Sequence, residues 1–292
     1  MDVSAAGRLP GGGDRASGGD RDGQDRPAPR GVCLQAAPLD PVPQGACSAG
    51  VGKKRLRVEA LLAAAASPLP PPADWLVPDA TLADDLFPED LPRLLGLLGG
   101  ADLYLQDEVE VALHPTLTRV WSHAGRSGQR LVQAPGKNYK QCGFGLVDWR
   151  EGYLDWRLAE GRRAAPLCDQ LRRAVQRSKA RGRIAMVILD NLGIHTPKGS
   201  RLLRALLAEL GKDLVLVYTP TYDPDANRIE WLWRALRRTV THTHQRQTLT
   251  ELLADADRWA LTITPAKVLS QIGSPFAPDQ QPPVGEELNH AA

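Results

Sequence analysis

Apolar positions follow two regimes that meet near Ala101. Residues 1–50 are rich in Gly, Pro, Asp and Arg and have no apolar periodicity. Such a segment buries too little surface to offset the entropy of ordering it, so a disordered leader is expected. Residues 53–66 predict one short helix, stopped by the prolines of 68–72, and residues 92–98 predict a second, closed by Gly99-Gly100. Beyond Ala101 the pattern becomes that of a folded domain. Residues 103–111 alternate as a strand, and a loop with Trp121, Gly125 and Gly128 follows. Residues 142–147 and 153–158 predict two further strands, joined by the turn Arg150-Glu151-Gly152. Residues 166–181 read as a helix, with Leu167, Leu171 and Val175 at four-residue spacing. The unbroken apolar run 184–189 suits a central strand covered on both faces. An amphipathic helix over 198–210 closed by Gly211, a buried strand over 214–218, and helices over 229–240 and 248–261 complete the series.

Three consecutive strands followed by alternating helix and strand predict a mixed α/β sheet rather than a purely parallel one. The expected organisation is a leader with one short helix (1–72), a helical connector (73–100), an α/β domain (101–265) and a tail (266–292).

Composition adds little until it is read locally. The chain is 42% apolar and 24% charged, enough for a core, and its net charge of +2 points to no partner. Between Arg119 and Arg246, however, 24 Lys and Arg stand against 11 Asp and Glu, which suits a polyanion. The cysteines (Cys33, Cys47, Cys142, Cys168) are scattered, with no CxxC pair and no zinc spacing, so reduced thiols and an intracellular location are expected. No apolar stretch approaches a membrane span, and no Gly-rich phosphate loop appears. The chain is therefore expected in the cytoplasm.

Three carboxylates carry the candidate chemistry. Asp107 shares strand parity with Leu103, Leu105, Val109 and Val111, which puts it on the apolar face, with Glu108 and Glu110 on the polar one. An unpaired carboxylate there costs several kcal/mol, so a cation or a buried arginine must compensate. Asp190 follows a central strand directly, where open α/β sheets place ligand-binding groups, although Asp190-Asn191 also suits a turn. Glu230 would be the N3 residue of a helix capped by Asn227, and capping alone would account for it. Yet Ile229, Trp233, Leu236 and Val240 form the apolar stripe of that helix and leave Glu230, Arg234, Arg237 and Arg238 outside it. Three such carboxylates can hold two Mg²⁺ or Mn²⁺ ions, the arrangement that supports in-line phosphoryl displacement. Arg228, Arg234, Arg237, Arg238, Lys137 and Lys140 are the candidate contacts to a DNA backbone. His242 and His244 read as ordinary loop residues, and Trp231 as a base-stacking or a core residue.

The segments Leu105-Gln106-Asp107-Glu108, Leu189-Asp190-Asn191 with His195, and Tyr222-x-Pro-x-x-Asn227-x-Ile229-Glu230-x-x-Trp233 resemble the signature blocks of mariner-like bacterial insertion-sequence transposases, within the DDE superfamily of endonucleases. The resemblance covers about residues 101–261, and its third block is the most specific. It implies a ribonuclease-H-like fold, Mg²⁺-dependent cleavage at transposon ends, and attack of the freed 3′-hydroxyl on target DNA. By this resemblance Asp107, Asp190 and Glu230 become the metal ligands, with Asn191, His195 and Asn227 as supports. His195 is expected to support the site structurally rather than ligate a metal. The 39 residues between Asp190 and Glu230 exceed the family's usual spacing, and Arg228 stands where many relatives carry Pro. Relatives also carry N-terminal helix-turn-helix domains, whereas before Ala101 this sequence offers only the leader and two short helical pieces. Either end recognition is missing, or a separate upstream partner supplies it, or the start belongs to a disrupted gene; a homodimer is expected from the need to synapse two ends. The competing readings are a DNA-binding remnant without catalysis and another ribonuclease-H-like polynucleotide nuclease.

Overall fold

The computed structural model describes residues 49–66, 90–118, 132, 136–220 and 223–278. Most of the expected leader and connector, the loop with Trp121, Gly125 and Gly128, and Tyr222 of the third block lie outside the described residues.

The domain is organised by β1 (Ala101–Ala112), the longest described strand. β2 (Lys140–Asp148) pairs with it antiparallel, and β3 (Leu154–Ala159) extends that edge antiparallel to β2. On its other side β1 pairs in parallel with β4 (Ile184–Leu189), which pairs in parallel with β5 (Leu214–Tyr218). The sheet order β3-β2-β1-β4-β5 is the expected mixed arrangement of three antiparallel strands followed by two parallel ones. α3 (Ala164–Lys179) and α4 (Arg201–Leu210) make the parallel crossovers. α1 (Ala49–Ala66), α2 (Leu91–Leu98), α5 (Ile229–Leu236), α6 (Leu249–Thr262) and α7 (Pro265–Ile272) complete the element set.

The two faces of the sheet carry separate cores. Leu103, Leu105, Val109 and Val111 pack with residues of α1, α2, α5, α6 and α7, whereas Tyr104, Phe144 and Leu146 pack with Leu167, Leu171, Val175, Leu203 and Leu206 of α3 and α4. This double cover corrects one sequence-based expectation. Glu108 does not face solvent: it is buried, and only Glu110 of the supposed polar face is exposed. α7 also lies where the sequence was read as a tail. Thr264 caps its start, accepting from Lys267 N at 3.3 Å, and Gly273 ends it at φ +66°.

Close approach between α5 and the sheet depends on two glycines of β2. A Cβ on Gly145 would sit 2.1 Å from the Trp233 ring, and one on Gly143 would sit 1.9 Å from the Trp156 ring. The two indoles lie side by side, 5.8 Å between centroids and inclined at 57°. Gly145→Ala is expected to lower stability by about 1–3 kcal/mol, because a methyl would have to occupy the volume of the indole. Gly96→Ala in α2, with open space around the new methyl, should not lower it. Denaturant unfolding of the two variants checks this contrast.

Candidate active site

The register of the parallel pair brings two of the carboxylates together. Leu105 is level with Ile188, so two residues further along the same register Asp107 stands level with Asp190, just past the end of β4. Adjacent strands lie about 4.8 Å apart, which makes the two aspartates neighbours. Glu230, in the first turn of α5, reaches the same place from the layer above. Asp107, Asp190 and Glu230 line one cleft of about 200 Å³, together with Thr219, Pro220, Asp223 and Asn227.

Each carboxylate has its own environment. Asp107 is 8% exposed and accepts from Trp233 Nε1 at Oδ2, 3.1 Å away. Burial pushes its carboxyl well above the usual carboxylate range, and the nearby charges of Glu230 and Glu108 push it the same way. Asp190 is more open and is held below the usual range. Burial opposes that shift, but hydrogen bonding and charge from His195 outweigh it, helped by Leu192 N at 3.2 Å from Oδ1. His195 is fully buried and bridges two carboxylates, through Nδ1 to Asp190 Oδ1 and through Nε2 to Glu108 Oε1 at 2.8 Å. Burial disfavours its cation, yet the hydrogen bonds to Asp190 and Glu108 win and raise it to about 9. At neutral pH it is therefore an imidazolium with both N–H groups donating. Tyr218 Oη donates to the His195 carbonyl at 2.8 Å and fixes the short 3₁₀ turn that carries the ring. Asn191 is exposed beside Asp190.

Asn227 departs from the role expected of it. The residue at the N-cap of α5 is Arg228, and no side chain caps the helix. Asn227 is buried instead, and its Nδ2 donates to Gln106 O at 2.8 Å. That bond ties the start of α5 to the backbone next to Asp107.

Most of the candidate DNA-contacting residues have protein partners. Arg237 lies 3.6 Å from Glu230, Arg234 pairs with Asp225, and Lys140 pairs with Glu110 at 3.0 Å. Arg228 lies over the Trp231 ring at 4.2 Å, and Lys137 over Tyr139 at 5.1 Å. Arg238 is exposed. Trp231 also packs against Gly273 after α7, so it has a place in the helical layer.

Among the described residues no group of three His, Cys, Asp or Glu side chains stands as a ready ligand set. In the arrangement described, His195 holds Asp190 and Arg237 faces Glu230.

Comparison with known proteins places the chain in a family. The model of the DDE superfamily endonucleases matches residues 102–253, more than half of the chain. The chain belongs to the DDE superfamily endonucleases. It is also 29% identical over 163 residues to the insertion element IS630 uncharacterized 39 kDa protein of Shigella sonnei, an alignment covering 56% of this chain and 46% of that protein. The chain thus aligns with less than half the length of that curated relative. Its fold is similar to that of Mos1 transposase in the paired-end complex with left transposon end, with a TM-score of 0.52, 14% identity, and coverage of 85% of this chain and 64% of the other. The Mos1 mariner paired end complex with Mn gives a TM-score of 0.50 at 15% identity, covering 79% and 60% respectively. No helix among the described residues of this DDE endonuclease chain is long and apolar enough to cross a membrane.

Sequence reasoning missed Glu108 as the partner of His195 and Trp233 as the donor to Asp107. Gly143 and Gly145, on alternate positions of a strand, carried a signal of close approach by a bulky neighbour but did not say which residue it is.

The raised His195 pKa has a stability consequence in metal-free protein. Its stabilisation is complete below the unfolded value of about 6.5 and is lost as pH rises through the folded value of about 9. Denaturant unfolding in EDTA is therefore expected to show wild type losing stability across this window, with His195→Gln showing a smaller loss. Equal losses in both proteins would contradict the bridge.

Proposed function

We propose that the domain of residues 101–265 is the catalytic part of a transposase, cleaving DNA at transposon ends and joining the freed 3′-hydroxyl to target DNA with divalent metal ions. The observation that carries this reading is the convergence of Asp107, Asp190 and Glu230, from two strands and one helix, on a single cleft. The donor set fits a hard cation such as Mg²⁺ or Mn²⁺, because all three are carboxylates and the charge of Glu230 joins burial in pushing Asp107 above the usual carboxylate range. Asp107, Asp190 and Glu230 would hold the metal, which when bound would supply positive charge to stabilise the oxygens of a phosphoryl displacement.

The remaining residues hold and orient. His195 anchors Asp190 against Glu108, and Asn227 ties α5 to β1. Arg228, Arg234, Arg237, Arg238, Lys137 and Lys140 would meet the DNA backbone. The ion pairs of Arg234 and Lys140 are exposed, and such pairs are worth about 1 kcal/mol or less, so phosphates can displace their present partners. The partners are double-stranded DNA, a second copy of the chain to synapse two ends, and an upstream end-binding protein. The workplace is the nucleoid.

Nicking of supercoiled plasmid tests this reading without knowledge of the ends. Mg²⁺- or Mn²⁺-dependent nicking is expected from wild type, with a loss of at least about 100-fold in Asp190→Ala, since removing a ligand removes the charge stabilisation of the transition state. Folded wild type that retards DNA but never nicks it would instead select a DNA-binding remnant.

A further inference from the structure

The packing around Asp107 includes a side-chain donor that fixes how its carboxylate is turned. Trp233 donates to Asp107 Oδ2 at 3.1 Å from a fully buried position. Its indole has one seat. Gly145, directly opposite Asp107 in the β1–β2 ladder, supplies the space, since a Cβ there would lie 2.1 Å from the ring. Trp156 closes the other side and is itself held by a hydrogen bond from its Nε1 to Asp257 Oδ1 at 2.8 Å. α5 carries both Trp233 and Glu230, so one rigid helix brings a candidate ligand and the donor that orients another.

We propose that Trp233 is a positioning residue of the cation site: its N–H donates to Asp107 Oδ2 and fixes the orientation in which this carboxylate meets a divalent cation. The inference rests on the metal reading above. The choice of donor has a chemical reason. An indole N–H donates one hydrogen bond, accepts none and carries no charge, so it orients the carboxylate without opposing a cation. A lysine or arginine in its place would satisfy the buried charge but compete with the metal for it.

Mn²⁺ binding to the full chain without DNA, followed by electron paramagnetic resonance, tests this. Trp233→Phe keeps a ring against Trp156 and removes the donor. It is expected to weaken Mn²⁺ about 10- to 100-fold, the usual effect of losing a hydrogen-bond partner of a ligand. Gly96→Ala in α2, with open space around the new methyl, should leave Mn²⁺ affinity unchanged. Folded Trp233→Phe that binds Mn²⁺ as wild type does would overturn the proposal and leave the metal reading standing. Wild type that binds no Mn²⁺ would overturn both. Should Trp233→Phe not fold, Gly145→Ala, which displaces the indole, is expected to weaken Mn²⁺ in the same direction, and unchanged affinity there would overturn the proposal.

Discussion

A carboxylate set between Leu105 and Val109 on the inner face of a sheet is the constraint around which this domain is arranged. Asp107 lies at the layer boundary beneath α5, where an uncompensated charge costs several kcal/mol. Among the described residues no arginine forms an ion pair with it. Its side-chain donor is a neutral indole, and burial together with the charges of Glu230 and Glu108 pushes its carboxyl well above the usual carboxylate range.

The aspartate beside it is treated in the opposite manner. Asp190 is kept ionised by His195, which is anchored in turn by Glu108 from the far face of the sheet. The two neighbouring strands thus present one carboxylate pushed above the usual range and one held below it, each steadied by a buried donor from a different layer. Glu230 arrives on α5 facing Arg237, a contact that can be exchanged because it is half-open to solvent. The cleft therefore combines two rigid carboxylates with one whose partner can be given up.

The sequence revealed the parts of this plan that rest on continuous patterns and hid those that rest on cross-chain packing. Residues 184–189 and 214–218 were legible as strands because buried parallel strands are uniformly apolar. The same logic failed for β1. Its alternation suggested one wet face, whereas α3 and α4 cover that face and bury Glu108. Asn227 looked like a cap from its distance to Glu230, but it serves the backbone of β1, 121 residues away in sequence. The Thr264-Pro265 start and Gly273 end of α7 were local signals, present in the sequence but read as tail. Partners such as Trp233 for Asp107, 126 residues apart, are set by the fold and have no local signature.

The central claim is that Asp107, Asp190 and Glu230 form one divalent-cation site. Anomalous diffraction from crystals grown with Mn²⁺ addresses it directly, because it locates the ion independently of any activity. The account predicts an anomalous peak between the carboxylates of Asp107 and Asp190, within ligating distance of Glu230. A Mn²⁺ peak elsewhere on the chain, with this cleft empty and the three carboxylates still on their present partners, would contradict it.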